Sequence, residues 1–524
     1  MYGALFTSDA IKFDNFVLAI SRFSPPTSWH KLTAPVKLTW SKQQPNSLFL
    51  LQLPYFELSP LRNALTHTME AAAVGALYTA ETLLEGAVAF ARGIYYPTLP
   101  LRATFAPIKG ASLPRSSHTL SVVKGRAYIF GGETETGQLA DNGMHLVILP
   151  SSGVTEADYT YYEARPNERD GAVPSPRKEH SAVVIGDEIY IFGGQIGGEE
   201  EEGRLWVFDT ISNTWSYLDP TPNSRHPQSR FSHASASSEE PAPREARTDY
   251  NVLPQQPPDP AKYVPEPPEP GSWGTIFIHG GRAGKGGEVE LLNDVWTFDV
   301  KSRTWSELPT PPGPARYGAS LVVAGNGLYR YGGHDGQSEI GGSVDFLDVS
   351  GVWKFGQRGS AFGDLTLSSL LGGWQEISHE EAKGPKARIG AGLVVVTTGQ
   401  GRDYLLLVGG SGALTQAQPD DAWAFQLPPA GSTAASIKNA TRHTIKKNTQ
   451  EAQWAEVEYQ YEVAPGEIVK KQMPGRPGIK GVGPRTSAAA AKGTEIDGSS
   501  VVVWGGKDPS GNTLDDGWLI TVER

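Results

Sequence analysis

The sequence predicts an all-β protein in which six copies of one small sheet stack side by side. Six apolar runs each end in a pair of glycines, and each run is preceded by an arginine. A strand-and-turn unit of this size cannot bury its own apolar face, so neighbouring copies must pack on each other. The 524-residue chain contains 60 Gly, 40 Pro and 13 Trp residues, as expected for turn-rich sheets with aromatic packing between them. The glycine pairs are Gly131-Gly132, Gly193-Gly194, Gly280-Gly281, Gly332-Gly333, Gly409-Gly410 and Gly505-Gly506.

Each copy is predicted to contain four strands. In the copy that begins at Arg177, a first strand follows the arginine and a second strand ends at Gly193. A third strand then covers 205–209, and a fourth strand contains Trp215. Glycine at the end of the second strand permits a positive φ and a close approach of the backbone. Further third strands are predicted at Val352–Phe355, Ala422–Phe425 and Gly517–Ile520.

The glycine pairs, the arginines and the regularly spaced tryptophans resemble the kelch repeat family over residues 102–524. Kelch proteins fold as β-propellers with one blade per repeat, so the resemblance implies a six-bladed kelch-type β-propeller. Closing the sheets into a ring removes most exposed strand edges. The last copy stops after its third strand, and Arg102–Pro107 resembles a displaced fourth strand with Phe105 at the tryptophan position. We therefore predict that this N-terminal strand completes the last blade.

Three further segments are distinguished by their composition. Residues 66–93 show a helical period, with charges on one stripe and small apolar residues opposite, and predict an α-helix. Residues 1–65 show no clean period and predict an irregular N-terminal extension, for which Met69 is an alternative start. Residues 239–272 are rich in Pro, Glu and Ala and predict a disordered insertion within the propeller.

Composition excludes several classes of function. The chain has no cysteine, so disulfides, zinc–thiolate sites and thiol nucleophiles are excluded, and we predict a reducing, cytoplasmic location. A net charge of −11 argues against a nucleic-acid partner. No apolar run reaches the roughly 18 residues of a membrane span. Galactose oxidase has a kelch-like propeller, but its copper-radical site requires a cysteine, so that chemistry is unavailable.

The arginines before the first strands are the candidate partner-binding residues. In kelch proteins such arginines often lie near the central mouth, so the resemblance implies a ring of guanidinium groups there. These groups could bind carboxylates or phosphorylated peptides in a bidentate manner. The alternative is a structural role in which the arginines bind backbone carbonyls of the adjacent blade, and we expect that role for most of them. The six residues are Arg115, Arg177, Arg230, Arg316, Arg388 and Arg485.

Two sets of residues that contain histidine are candidate metal ligands. His118, His180 and His233 follow the first three arginines at a constant spacing, so they reflect the repeat and are predicted to be buried strand residues. The loop set His334, Asp335 and Glu339 combines an imidazole with carboxylates, which is a donor set for iron or another divalent ion. Nitrile-specifier proteins of the kelch family use such an iron site, but with a different order and spacing of residues.

We therefore predict a binding module that presents its loop face and central mouth to a protein or peptide partner, without catalytic residues or a cofactor. The alternative is a small-molecule lyase or specifier-type enzyme with a divalent-metal site at the loop set. The sequence leaves the partner and the oligomeric state open. Because propellers have many functions, the fold alone does not decide between these two classes.

Overall fold

The computed structural model divides the chain into two compact units, residues 1–88 and 89–524. In the first unit it describes the backbone of residues 7–13, 16–22, 38–42 and 49–51. The predicted helix at 66–93 and most of the predicted disordered insertion lie outside the described residues. In the second unit it describes residues 94–524 except 151–155, 169–170, 198–200, 242–273, 285–288, 354–370, 381–382, 399–400, 413–419, 430, 432, 465, 471–477 and 494–497.

The described part of the first unit is an antiparallel sheet whose strands pair in sequence order. They differ from the irregular extension predicted over 1–65. The strands are β1 (Thr7–Phe13), β2 (Phe16–Arg22), β3 (Leu38–Lys42) and β4 (Phe49–Leu51).

The second unit is a six-bladed propeller, as predicted. A single strand, β5 (Arg102–Ile108), precedes the first blade. Blade 1 contains β6 (Thr119–Val123), β7 (Arg126–Phe130), β8 (Met144–Ile148) and β9 (Asp158–Tyr162). Blade 2 begins with the short β10 (Arg177–Lys178) and contains β11 (Ser181–Ile185), β12 (Glu188–Phe192), the short β13 (Gln195–Ile196), β14 (Leu205–Asp209) and β15 (Thr214–Leu218).

The remaining blades repeat this order. Blade 3 contains β16 (Ala234–Ser238), β17 (Thr275–His279), the short β18 (Arg282–Ala283) and β19 (Glu290–Leu291), β20 (Val295–Asp299) and β21 (Thr304–Glu307). Blade 4 contains β22 (Ser320–Ala324), β23 (Gly327–Tyr331), β24 (Ser343–Asp348) and β25 (Gln375–Ser378). Blade 5 contains β26 (Gly392–Thr398), β27 (Arg402–Val408), β28 (Ala422–Gln426) and β29 (Trp454–Glu456). The last stretch supplies β30 (Glu458–Ala464), β31 (Glu467–Lys470), β32 (Ala489–Lys492), β33 (Ser500–Trp504) and β34 (Gly517–Glu523).

The first strands of successive blades contact each other in a closed cycle, which places them around a central axis. Within each blade the strands are antiparallel neighbours in sequence order, so the first strand is innermost and the fourth is outermost. A cluster of buried apolar residues fills each of the six junctions between neighbouring blades. At the junction of blades 1 and 2, the ring of Trp215 lies 5.0 Å from that of Phe130. The fourth-strand tryptophan therefore acts as a wedge on the preceding blade.

The N-terminal strand completes blade 6, as predicted. Strand β5 pairs antiparallel with β34 along its whole length, and Phe105 is fully buried between blades 5 and 6. On its other side β5 pairs in parallel with β30, which pairs in turn with β31. The last sheet therefore has six strands, and the sequence did not predict the two additional ones.

One strand assignment was wrong, and one insertion has a structure of its own. The third strand of blade 4 is β24, whereas the predicted strand at Val352–Phe355 begins as a short helical turn in its described residues. The connection between the third and fourth strands of blade 5 contains helix α1 (Ala434–Thr444), which begins at a capping box formed by Thr433 and Ser436. No helix among the described residues has the length and apolar character needed to cross a membrane.

Two sets of backbone hydrogen bonds join the blades near the axis. In the first set, the amide of the second glycine of a pair donates to the carbonyl of the next blade's arginine, as Gly132 does to Arg177 at 2.8 Å. The second set links an axial belt, which we define as the residues two positions after the arginines. All belt residues have φ between +53° and +63°, and Glu179 donates to Ser117 at 3.0 Å. The axial belt consists of Ser117, Glu179, Ser232, Gly318, Gly390 and Ser487.

We expect Phe105→Ala to lower the free energy of unfolding by about 3–5 kcal/mol, because it leaves a cavity where β5 joins blades 5 and 6. Thr104→Ala, at the neighbouring half-buried position of β5, should cost less than about 1 kcal/mol. Urea unfolding of both variants measures the difference. Equal losses would contradict the role of Phe105 as the wedge of blade 6.

Candidate functional site at the propeller mouth

One end of the propeller carries a ring of paired residues that we call the mouth ring. Each blade contributes the residue after its arginine and the residue after its glycine pair, and the two are joined by antiparallel pairing. The loops between blades and those between second and third strands both end there, so all pairs lie on one face. The pairs are Ser116 with Glu133, Lys178 with Gln195, Phe231 with Arg282, Tyr317 with His334, Ile389 with Ser411, and Thr486 with Lys507.

Blades 1, 2 and 6 form the charged half of the mouth ring. The carboxylate of Glu133 accepts from Lys178 Nζ at 2.5 Å and from Lys507 Nζ at 2.9 Å. Burial alone would raise the pKa of Glu133, but the hydrogen bonds and charges of the two lysines hold it below its usual value. This half therefore presents two ammonium groups fixed by one shared carboxylate.

Blades 3 and 4 form the aromatic half of the mouth ring. The guanidinium of Arg282 lies 5.0 Å from the ring centre of Phe231 and 4.1 Å from that of Tyr317. Its Nη2 also donates to the carboxylate of Glu179, in the axial belt, at 3.3 Å. The ring of Tyr317 is in turn 5.3 Å from that of His334. Cation–π contacts with these two rings and the bond to Glu179 hold Arg282 in position at the mouth.

The six predicted partner-binding arginines lie beneath the mouth ring and are buried. Their exposed fractions are between 0% and 7%. In five blades the arginine Nη1 donates to the carbonyl of the first glycine of its own blade's pair, at 3.0–3.2 Å. This placement fits the structural role expected for most of them. The carbonyl that each arginine bonds belongs to its own blade, whereas a carbonyl of the adjacent blade was expected. The residues are Arg177, Arg230, Arg316, Arg388 and Arg485, and Arg115 is the sixth.

Carboxylates neutralise four of these arginines. Asp294 accepts from Arg230 at 2.7 and 2.8 Å, and from Trp296 Nε1 at 2.7 Å. Burial alone would raise the pKa of Asp294, but the hydrogen bonds and charge of Arg230 hold it below its usual value. In blades 3, 5 and 6 the sequence signal was an aspartate two residues before the third-strand tryptophan, whereas Glu201 of blade 2 lies five residues before Trp206. The equivalent pairs are Arg177 with Glu201, Arg388 with Asp421, and Arg485 with Asp516.

Blade 4 lacks this carboxylate. By strand register, Ser343 occupies the aspartate position, and Arg316 bonds backbone carbonyls only. Burial, and then the charge of Arg330, lower the pKa of Arg316 to about 10. At the tryptophan position Asp345 instead binds Arg330 at 2.6 Å, with both side chains almost completely buried.

Blade 1 also lacks the carboxylate, because Gly143 occupies its position. Arg115 Nη2 lies 3.1 Å from His145 Nε2, and His145 Nδ1 lies 2.8 Å from the hydroxyl of Tyr159. A guanidinium can only donate, so Nε2 accepts and the neutral imidazole carries its hydrogen on Nδ1. Burial and the charge of Arg115 lower the pKa of His145 to about 4.

The three repeated histidines are buried in the junctions between blades. His180 Nε2 bonds the hydroxyl of Thr119 at 2.8 Å, and His233 Nε2 bonds that of Ser181 at 2.7 Å, each in the preceding blade. Neither ring nitrogen of His118 has a hydrogen-bond partner, and the preceding blade has Ala489 at the hydroxyl position. Burial is the main cause that lowers the pKa of His118 and of His233 to about 3.

Two side chains of the loop set are hydrogen-bonded within their own turn. Asp335 accepts from the backbone amides of Gln337 and Ser338, and His334 Nδ1 accepts from that of Gly336, so these side chains stabilise their own turn. In the part of the chain that the structure describes, no group of three or more His, Asp or Glu side chains could hold a metal ion. Within this set, the backbones of His334 and Glu339 pair in an isolated antiparallel β-bridge.

We expect Asp294→Ala to lower the free energy of unfolding by about 3–5 kcal/mol, because Arg230 then remains as a buried charge without a counter-ion. Asp219→Ala is the matched control, since it removes an exposed pair with Arg204 and should cost less than about 1 kcal/mol. Chemical denaturation measures both. Similar losses would contradict a structural role of the buried pair.

We also expect stability to fall on acidification below pH 6.5. The buried histidines have lowered pKa values in the folded chain, so the unfolded chain binds more protons and their stabilisation is lost as the pH falls from 6.5 toward 3. His118→Gln should reduce the slope of unfolding free energy against pH, between pH 6 and 4, by about 1.4 kcal/mol per pH unit. An unchanged slope in denaturant titrations across this range would contradict burial of a neutral His118.

Family models match two parts of the propeller. Residues 99–241 match the model described as the KLHDC2/KLHL20/DRC7 Kelch-repeats domain. Residues 274–312 match the model described as the Kelch motif. The two matched ranges cover blades 1 and 2 and much of blade 3.

Curated relatives match at moderate identity. The human Kelch domain-containing protein 3 is 25% identical over 260 residues, which is 47% of this chain and 56% of that protein. The tRNA wybutosine-synthesizing protein 2/3/4 of Oryza sativa subsp. japonica is 33% identical over 108 residues, 20% of this chain and 9% of that protein. The N-(sulfonatooxy)prop-2-enimidothioate sulfolyase of Thlaspi arvense is 29% identical over 127 residues, 24% of this chain and 33% of that protein.

The chain thus spans from under a tenth to just over half of the length of these relatives. What they share with it is the repeated blade. The six blades, the glycine pairs and the matches to kelch models agree with one another. The chain belongs to the kelch-repeat family.

Proposed function

We propose that this kelch propeller is a protein-interaction module that binds a peptide segment of its partner at the mouth ring. The observation that carries this proposal is the arrangement of the ring itself. Two ammonium groups bound by Glu133 lie on one side of the ring, and an arginine in contact with two aromatic rings lies on the other. Kelch propellers generally bind protein partners, which agrees with this arrangement.

The ring rests on a rigid layer. The arginines below it are bound to backbone carbonyls, and four of them to carboxylates, so few of their hydrogen bonds remain for a partner. The mouth-ring side chains other than the fully buried Ser116 are half-buried, and neighbouring residues position them. Binding a partner therefore orders few side chains, which lowers the entropic cost of association.

The chemistry of the ring favours a peptide with both acidic and apolar side chains. Arg282, Lys178 and Lys507 attract carboxylates, while the rings of Phe231 and Tyr317 offer apolar contact area. Aromatic and arginine side chains are enriched among the residues that dominate binding energy at interfaces. Mixed charge at the mouth favours a specific register of the bound segment.

The enzyme alternative rests on the similarity to a sulfolyase over a quarter of the chain. This alternative requires an iron site at the loop set. Among the described residues His334 and Asp335 are engaged in their own turn, so no observation in the site favours this alternative.

Affinity purification with variants tests the proposal. We expect Arg282→Ala and Tyr317→Ala to reduce recovery of the partner at least about tenfold, because hot-spot truncations typically cost 2 kcal/mol or more. The control is Lys124→Ala, in the turn between β6 and β7 on the opposite face, whose ion pair with Asp187 is exposed. The melting temperature of each variant checks that the propeller is intact.

If all three variants recover the same partners as the unmodified chain, binding at the mouth ring is wrong. If only Lys124→Ala loses the partner, the partner instead binds at the opposite face of the propeller.

A further inference from the structure

Helix α1 has the reverse of the usual amphipathic arrangement. Its two permanently charged residues, Lys438 and Arg442, are buried against the propeller. Its opposite face is uncharged, and there the side chain of Ile437 is 56% exposed, with Ala440 and Thr444 beside it in solvent. A surface helix normally buries its apolar residues and exposes its charges. Helix α1 instead leaves apolar area in water and removes two cations from it.

The cations beneath and beyond the helix bind the main chain of residues 94–97. Arg442 Nη2 donates to the backbone carbonyl of Tyr96. Lys447 Nζ donates to the carbonyl of Tyr95 at 3.1 Å and lies 4.7 Å from the centre of its ring. The main chain is thereby fixed next to the helix, while the side chains of Tyr95 and Tyr96 are 58% and 60% exposed.

The exposed residues of the helix and of this segment form one surface, which we call the end patch. Helix α1 lies in a connection between third and fourth strands. Because the strands of a blade are antiparallel, such connections lie at the end of the propeller opposite the mouth ring. The end patch consists of Tyr95, Tyr96, Ile437, Ile445, Lys446 and Lys447.

The end patch is positively charged, although the chain as a whole has a net charge of −11. Residues 422–450 contain no Asp or Glu. The acidic residues that come next in the chain are engaged elsewhere, since Glu451 accepts from Asn439 beneath the helix. Glu523, near the end of the chain, pairs with Arg102 at 3.2 Å. An anionic partner therefore meets little local repulsion at this surface.

We propose that the end patch binds the surface of an anionic lipid bilayer. Exposed isoleucines next to lysines are typical of helices that lie on anionic membranes, and tyrosines are enriched at the boundary between lipid and water. A protein interface would also favour tyrosine, but lysine is depleted at protein interfaces. Each exposed cation near such a surface strengthens binding about fivefold, so the association is weak and reversible.

Sedimentation of the whole chain with lipid vesicles tests this inference. The probes are vesicles of phosphatidylcholine with and without phosphatidylserine. We expect binding to the vesicles that contain phosphatidylserine to be at least about tenfold tighter, because at least two exposed lysines contribute. Added salt should weaken this binding, since it screens exposed charges.

Variants locate the contact. Lys446→Glu should weaken binding to anionic vesicles at least about tenfold, because reversal of one charge changes the local charge by two. Ile437→Ser should weaken it at least about fivefold through lost apolar burial. The matched controls are Lys383→Glu, an exposed lysine between β25 and β26 at the mouth end, and Ile211→Ser, an exposed isoleucine of blade 2. Both controls should bind vesicles as the unmodified chain does, and the melting temperature of each variant checks that the propeller is intact.

Equal binding to neutral and anionic vesicles, or binding to neither, would overturn the proposal. Binding to anionic vesicles that neither Lys446→Glu nor Ile437→Ser weakens would assign the contact to another segment, and would overturn it as well. Arg282→Ala alters the mouth ring and should leave vesicle binding unchanged. The failure of this inference is therefore distinguishable from the failure of the proposed function.

Discussion

The propeller depends on the hydrogen bond between a glycine pair and the arginine carbonyl of the next blade, which is formed among the described residues at every junction except that of blades 5 and 6. It fixes the distance between neighbouring blades at the axis, and the arginine that supplies the carbonyl also binds the glycine carbonyl of its own blade. A side chain cannot replace the glycines: a Cβ on Gly193 would lie 2.4 Å from the carbonyl oxygen of Arg230 and 3.0 Å from His233. The repeated Arg and Gly-Gly signals therefore describe one unit of contact between blades.

Much of the architecture could be predicted because the residues that make this contact, an arginine and a glycine pair, recur regularly in the sequence. The missing fourth strand of the last copy also indicated where the ring closes, and β5 occupies that place. The third strand of blade 4 was misplaced because Asp345 stands where blades 2, 3, 5 and 6 have tryptophan. A buried ion pair with Arg330 replaces the apolar side chain there, so the apolar pattern that marks the strand is absent.

The candidate site was predicted less well. The sequence identified the arginines, but sequence spacing does not show the direction of a side chain. Arg177 points into its blade toward Gly193 and Glu201, and it is the next residue, Lys178, that reaches the mouth. The interruption between blades 5 and 6 could not be predicted at all, since the glycines and the arginine are present at that junction as at the others.

The pairing of β5 with β34 in blade 6 has a consequence for biosynthesis. Arg102 and Glu523, which form an ion pair across β5 and β34, are 421 positions apart in the chain. At about 5–20 residues per second, translation separates them by roughly 20–80 s, and domains generally fold as they are made. During that interval, blades 1 to 5 can assemble in turn, but the apolar face of β5 still lacks its partner strand β34. The nascent ring is therefore open, and protection of that face until β34 has been made decides whether β5 pairs within its own chain or with a second chain.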